Sequence, residues 1–470
     1  MKKKYTIYIL LIAMFVAGMQ RLNAQTKPIA LNPVNPHYFI YHGKATVLIT
    51  SGEHYGSVLN PDFDNVTYLN TLAANGLNLT RTFSGSYCEP PGAFNIAHNT
   101  LAPAPGKLLC PWARSNEPGY KNGGNKFDLT RWDENYFKRL HNFITQAQKH
   151  GIIVEFTFFC PFYDTLQWVL SPMNAINNVN SVGNIGTTDV YTLDKNGGLL
   201  AIQEKMVQKI VAELKGFDNV MYEICNEPYF GGVTLEWQQH IADIITNTEK
   251  ALGVKNLITQ NIANGYKKIE QPFAEVSVFN FHYAWPPITV ALNYGLNKVI
   301  GDNETGFRGT SDSTYRMEGW RFILAGGGLY NNLDYSFTPG NEKGDFAYPA
   351  NQPGGGGIAF RNQVSYLKHF IEGFTFINMS PDSTTITGGV PANAVTQTLS
   401  QPARQYAVYI YGGTQANLQL NLPKGNYALR WFNTLTGQYT TKQTIKHSGG
   451  NIALQSPPYS EDIALKIDAE

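Results

Sequence analysis

Two glutamates are set apart by their surroundings rather than by their type. Glu227 closes the run Val220-Met221-Tyr222-Glu223-Ile224-Cys225-Asn226-Glu227-Pro228, and Glu304 closes Ile300-Gly301-Asp302-Asn303-Glu304-Thr305-Gly306. Both runs read as buried strands that stop abruptly, the first because proline cannot donate to a β-ladder. A carboxylate at the carboxyl end of a parallel strand sits where α/β barrels keep their chemistry. Two carboxylates across one cleft can divide the breaking of an acetal. One protonates the departing oxygen while the other attacks the carbon or activates water. The acid then needs apolar or like-charged surroundings, and the nucleophile needs a cation close by.

Other polar residues fall at predicted strand ends: Glu53, His54, Arg81, Asn226, His282 and Tyr283. Arg81 would keep the nucleophile ionised, and Asn226 would bond a ligand hydroxyl. Only one of His282 and Tyr283 is expected to point inward, because successive strand residues face opposite sides. Glu223 shares the strand parity of Glu227 and reads as the partner of a buried cation. Glu53 and His54 are either ligand contacts or rim structure. Trp112, Trp168 and Trp285 are either stacking platforms for a flat ligand or ordinary loop packing. The histidines show no metal-binding spacing, so no metal is expected.

These residues need a scaffold, and the periodicity supplies one. Strand-like runs at 45–50, 77–83, 152–160, 220–227, 256–261, 276–281, 298–302 and 328–337 alternate with helical patterns, the clearest at 64–75, 132–150, 199–215, 237–252 and 363–374. Eight such repeats predict a closed (β/α)8 TIM barrel rather than an open sheet. No glycine-rich dinucleotide turn follows an early strand, so no cofactor is expected; the glycine run at 354–357 comes late. Two long connections, 84–125 and 161–198, read as functional walls or lids. Beyond 379, short alternating runs between Gly-rich turns predict a small all-β sandwich. The expected domains are 25–378 for the barrel and 379–470 for the sandwich.

Charged residues make up 15% of the 470 residues and the net charge is +1, which argues against a nucleic-acid or anionic-membrane partner. Lys2, Lys3 and Lys4 before an apolar run, with a cleavage site near Ala24, read as a signal peptide at 1–24 and predict export without a membrane anchor. Cys88 and Cys110 are either bridged across one loop or, like Cys160 and Cys225, small buried residues.

The segment from Tyr222 to Pro228 resembles the fourth-strand motif of clan A glycoside hydrolases, above all the cellulase-like family five enzymes. The segment from Ile300 to Gly306 resembles their seventh-strand motif, and Asn78-Leu79-Thr80-Arg81 their second-strand arginine segment. The carboxyl-terminal part, with Trp431-Phe432-Asn433 and Thr436-Gly437, is similar to small β-sandwiches that follow such barrels. The resemblance implies Glu227 as acid/base and Glu304 as nucleophile, with Arg81, Asn226 and His282 or Tyr283 in support. It implies double displacement on a β-linked poly- or oligosaccharide. Two features depart from the family pattern. His282 and Tyr283 are adjacent rather than separated by one residue, and no tryptophan falls within 328–337. The alternative expectation is a carbohydrate-binding barrel without catalysis.

Overall fold

The computed structural model describes residues 27–470, so the expected signal peptide lies outside the described residues. Eight parallel strands form one sheet: β1 (Leu48–Gly52), β2 (Leu79–Phe83), β3 (Ile153–Phe159), β4 (Val220–Cys225), β5 (Leu257–Asn264), β6 (Val276–His282), β7 (Val299–Thr305) and β8 (Leu329–Leu333). From β2 to β8 each strand pairs with the next in sequence, and β8 pairs with β1, which leaves β1 and β2 as the unpaired edges. Asn78 closes the ring between β1 and β2. Its side-chain oxygen accepts the Ile49 N–H at 2.9 Å, and its own N–H reaches the Ile49 carbonyl at 3.4 Å. The sheet is a (β/α)8 barrel.

The outer helices are α1 (Asn65–Ala74), α2 (Glu134–Lys149), α3 (Leu200–Leu214), α4 (Leu235–Leu252), α5 (Ile288–Asn293), α6 (Asp312–Leu324) and α7 (Ile358–Glu372). Asp64 and Asp133 accept main-chain N–H groups at the starts of α1 and α2, which fixes where those helices begin. The eightfold repeat is incomplete. The connection from β5 to β6 carries no helix, since its few residues include Gly265 and Pro272. The expected first strand also divides. Lys44–Thr46 belongs to a three-stranded antiparallel sheet with Ala30–Leu31 and Phe39–Tyr41, and β1 starts only at Leu48. The long connection after β2 contains an antiparallel hairpin, Trp112–Pro118 with Asn125–Trp132.

Strand parity builds the barrel interior in layers. Leu48, Leu79, Ile153, Met221, Leu257, Val278, Val299 and Leu329 come one from each strand and form an apolar floor, closed from below by Ile29, Phe39 and Tyr41. Two positions further along, the same strands present Thr50, Arg81, Glu155, Glu223, Thr259, Asn280, Gly301 and Asn331. This layer is polar and buried. A Cβ at Gly301 would lie 2.2 Å from the Asn280 side-chain oxygen, so the one position without a side chain makes room for its neighbour.

The sandwich is built on β9 (Val395–Gln401), β10 (Gln405–Tyr411), β11 (Asn417–Leu422), β12 (Gly425–Asn433), β13 (Gln443–His447), β14 (Gly450–Gln455) and β15 (Asp462–Ala469). The larger sheet runs β9-β10-β15-β12, and β11 and β14 lie in the smaller one. On β10, Tyr406, Val408 and Ile410 pack with Leu418, Leu420 and Leu422 inside the sandwich. Ala407 and Tyr409 join the barrel core instead, where Tyr409 stacks on Trp320 of α6 with centroids 5.2 Å apart. Arg316 of α6 meets Asp462 with Nε–Oδ2 and Nη2–Oδ1 both at 3.0 Å, and the Tyr409 hydroxyl donates to the same carboxylate at 2.7 Å. Both ion-pair side chains are buried. All four cysteines are free and buried, so Cys88 and Cys110 are not bridged. Among the described residues no helix is long and apolar enough to cross a membrane.

Removing one member of a buried ion pair strands the other. Arg316→Ala should therefore lower the unfolding free energy by about 3–5 kcal/mol in urea titrations. The double variant Arg316→Met/Asp462→Asn should lose less than the two single losses summed; strict additivity would show that the pair does not join the two domains.

Candidate active site

Glu304 reaches the cavity through an irregularity in β7. The strand pairs with β6 in register from Val278–Val299 to Phe281–Asp302, and then His282 lies opposite Glu304, leaving Asn303 as an extra residue. Regular parity from Val299 would turn Asn303 inward and Glu304 outward. The bulge lets both face the interior, a local re-aiming that bulges beside functional sites provide. Asn303 donates to Glu155 at 3.1 Å and Glu223 at 3.0 Å, while Glu304 stands above them.

Glu227 and Asn226 lie just past the end of β4. The Asn226 N–H donates to the Phe159 carbonyl at 2.8 Å, which holds this segment against β3. Glu227 itself has φ of +37°, and the site residues Tyr55 (+62°) and Tyr283 (+52°) are also left-handed. Such backbone costs roughly 1–3 kcal/mol per residue and concentrates where side-chain direction matters most.

The two carboxylates share one imidazole. His282 Nδ1 is 3.1 Å from Glu227 Oε1 and 3.4 Å from Glu304 Oε1. Glu304 also accepts from the Tyr283 hydroxyl at 2.5 Å, the Tyr55 hydroxyl at 2.8 Å and Arg81 Nη1 at 3.3 Å. Glu227 accepts from the hydroxyls of Tyr163 at 2.5 Å and Tyr229 at 3.3 Å. One oxygen of each carboxylate and the imidazole nitrogen all lie within 4.8 Å of one another.

Burial disfavours the His282 imidazolium, yet the two carboxylates outweigh it and push its pKa up to about 10. Burial would likewise raise Glu304, but His282, Arg81 and the Tyr283 hydroxyl hold its carboxyl well below the usual carboxylate range. Burial, followed by the Glu304 charge, keeps the Tyr55 and Tyr283 hydroxyls protonated and able to donate. The Glu227–His282–Glu304 trio has the compactness of a metal site. With His282 charged, its Nδ1 holds a proton between the two carboxylates, and a cation would have to displace it.

Arg81 divides its donors. Nε and Nη2 bond Glu223 at 2.8 and 2.5 Å, Nη2 also reaches Asn226 Oδ1 at 2.7 Å, and Nη1 is left for Glu304. His282 and Tyr283 both point in, contrary to simple alternation. Tyr283 is past the strand end, and its left-handed backbone swings the ring round to Glu304.

The cavity has a volume of about 280 Å³, and His54, Tyr163, Asn226, Glu227, Tyr283 and Glu304 contribute to its lining. Six expected residues are not in this wall: Arg81 and His282 hold the carboxylates from behind it, and four others lie elsewhere. Glu53 is buried and its oxygens are committed to the N–H groups of Gly56 and Ser57 and the hydroxyls of Ser57 and Thr100. Trp112 is fully buried beneath the loop hairpin. Trp168 is buried and gives its indole N–H to the Ile185 carbonyl. Trp285 carries the guanidinium groups of Arg321 and Arg308 over its ring at 4.4 and 5.4 Å. The aromatic lining comes from Tyr55, Phe83, Phe94, Tyr163, Phe230 and Phe307 instead. Glu89 was also missed; it lies within a Pro- and Gly-rich connection where no periodicity assigns a direction. Tyr163 carried a usable signal, following the end of β3 by four residues.

A barrel with polar strand ends converging on one cavity, followed by a sandwich, defines the class of architecture. The fold matches that of a candidate glycoside hydrolase from Bacteroides vulgatus, with a TM-score of 0.67 at 14% identity, over 96% of this chain and 83% of that one. A glycoside hydrolase family 5 protein from the same organism gives a TM-score of 0.62 at 13% identity, over 94% of each chain. The family 30 subfamily 8 xylanase Xyn30A of Clostridium acetobutylicum gives 0.51 at 13%, over 94% of this chain and all of that one. At such identities the likeness is one of fold. No protein-family model matches the sequence, and no curated protein matches it either.

His282 gives the site a pH signature. Its folded pKa of about 10 exceeds the ordinary 6.5, so the stability it contributes is complete below pH 6.5 and disappears as the pH rises toward 10. In denaturant titrations the advantage of wild type over His282→Gln should shrink steadily between pH 6 and 9. A constant difference across that window would mean that the imidazole is neutral in the fold.

Proposed function

We propose that the protein is a glycoside hydrolase that cleaves β-linked sugars with retention of anomeric configuration, by double displacement. The observation that carries this reading is the pair Glu227 and Glu304, whose nearest oxygens lie within 4.8 Å on either side of His282. Retaining enzymes hold their carboxyl groups about 5–5.5 Å apart, whereas inverting enzymes leave about 6.5–9.5 Å for a water. The fold neighbours, all named as glycoside hydrolases, support the same class.

In the first step a Glu304 oxygen attacks the anomeric carbon. The bond to the leaving oxygen breaks as Glu227 gives that oxygen its proton. In the second step water gives a proton to Glu227 and attacks the same carbon, releasing Glu304. The environment of Glu304 suits the nucleophile, since His282 and Arg81 favour its anion against the burial that opposes it. Tyr283 and Tyr55 aim the carboxylate through one oxygen each. Asn226, fixed between Arg81 and Tyr163, would bond the hydroxyl beside the reacting carbon. The positively charged and then apolar start of the chain supports export, with cleavage near Ala24 and action outside the cytoplasm.

Activity on a panel of aryl β-glycosides, with the product anomer followed by NMR, tests this reading. Glu304→Ala should bring turnover to background. Glu227→Ala should slow glycosides of poor leaving groups by about 10²–10⁴-fold, the usual worth of general acid catalysis, and activated dinitrophenyl glycosides far less. Full activity in Glu304→Ala, or binding without turnover in the wild type, would favour a non-catalytic carbohydrate-binding barrel.

A further inference from the structure

The cavity is sealed on the side of β1, β2 and β8. After β2 the chain folds back on itself, with the Glu89 N–H donating to the Leu101 carbonyl at 2.8 Å. The Asn95 side chain then donates to the Asn351 carbonyl at 2.8 Å, and the Ala97 N–H to Gln352 Oε1 at 3.0 Å, which ties the fold-back to the connection after β8. Against the end of β1 the seal is tighter still. A Cβ on Gly56 would lie 2.2 Å from the Thr100 carbonyl oxygen, and Glu53 binds Gly56, Ser57 and Thr100 together. No sugar chain could pass between these two segments.

Two polar residues face the cavity from this sealed side, His54 and Glu89. His54 Nε2 stands 4.0 Å from Glu89 Oε1. That is too long for a hydrogen bond, and it is a span that one hydroxyl oxygen bridges, donating to the carboxylate and accepting from the imidazole. His54 Nδ1 has no partner among the described residues. The same Glu89 Oε1 accepts from the Tyr87 hydroxyl at 3.0 Å, and Oε2 accepts from Asn99, which holds the carboxylate in place. Across the cavity, Glu227 and Phe230 share the connection after β4. Phe230 on the proton-donor side, Phe307 after β7 and Phe94 on the fold-back keep 43%, 36% and 41% of their surface exposed, so the cavity opens to solvent between these three rings. The leaving group must lie beside the acid, which turns the retained sugar toward His54 and Glu89.

We propose that Glu89 and His54 form a specificity pair that grips a hydroxyl of the retained sugar remote from its anomeric carbon. The enzyme then accepts only a terminal residue and removes single sugars from chain ends. This rests on the glycoside hydrolase reading. A sugar carrying a further residue on the gripped hydroxyl would collide with the wall from Glu89 to Leu101. Both residues touch the ring that stays behind, so they determine which sugar is accepted.

The test uses the full chain, 4-nitrophenyl β-glycosides of several monosaccharides, their deoxy analogues, and matching oligosaccharides with blocked reducing ends. Wild type should release only monosaccharide from the oligosaccharides and should discriminate against the one deoxy sugar that lacks the gripped hydroxyl. Glu89→Gln should lower kcat/KM on the preferred sugar by about ten- to hundredfold, the worth of a hydrogen bond to a charged group. It should leave kcat/KM on that deoxy analogue nearly unchanged. Should Glu89→Gln fail to fold, His54→Ala carries the same comparison. Release of internal fragments, or equal losses on the parent and every deoxy sugar, would overturn the proposal while leaving the glycosidase reading intact. Absence of turnover on all substrates by wild type would remove that reading itself.

Discussion

The guanidinium of Arg81 is buried to zero side-chain exposure at the mouth of the barrel, and much of the site follows from satisfying it. A charge so placed must be paired and fully hydrogen-bonded to be tolerated. Arg81 lies on β2 and finds its partners on two other strands, Glu223 on β4 and Glu304 on β7, with Asn226 between them. Its carbon centre also sits 4.5 Å from the Tyr55 ring centroid. The fork geometry matters here. Glu223 occupies Nε and Nη2 together, which fixes the plane of the group and aims Nη1 at Glu304. A lysine would supply the charge without that plane.

The same satisfaction problem organises the rest of the layer that Arg81 belongs to. Glu155 accepts from Thr259 at 2.7 Å, Asn280 at 2.6 Å and Asn303 at 3.1 Å, and Glu223 accepts from Thr157 at 2.5 Å and from Asn303. Burial and the neighbouring Glu223 charge push Glu155 up to about 7. Donors from five strands therefore converge on two carboxylates between an apolar floor and a reactive rim. A network of this kind fixes strand register more sharply than apolar packing alone, because a half-satisfied member costs more than an apolar one. It also explains the extra residue in β7. One side chain must reach down to the network while the next serves the rim, and regular alternation cannot place both on one face.

The scaffold was legible because parity and periodicity act locally. Each floor residue and the polar residue two places on can be read from its own strand, whereas β10, expected to alternate, is a nearly unbroken apolar run buried on both faces. What parity alone could not account for was non-local or depended on broken alternation. Tyr283 turns inward only through its left-handed backbone, and Glu304 only through a bulge defined against β6. Glu53 has the sequence signature of a rim residue, yet its oxygens are consumed by main-chain groups of its own turn and by Thr100, 47 positions away. Trp112 illustrates the opposite error. A tryptophan in a long polar connection suggests a platform, but this connection folds into a hairpin, and the indole is buried in the main apolar core shared with the barrel.

Backbone strain at the rim connects these levels. Tyr55 and Tyr283 supply the two hydroxyls on Glu304, Glu227 is the opposing carboxylate, and all three hold φ values that bulky side chains disfavour. Strain of this kind survives only where the surroundings over-determine the conformation. At Tyr283 the constraint is visible: its N–H donates to the Glu304 carbonyl at 2.8 Å while its hydroxyl donates to the Glu304 carboxylate, so one residue is gripped at both ends by the group it orients. At Glu227 the side chain is held by Tyr163 and His282 from elements other than its own. The rim is thus set by cross-strand hydrogen bonds stronger than local preference, which hold two carboxylates at short range around one shared imidazole.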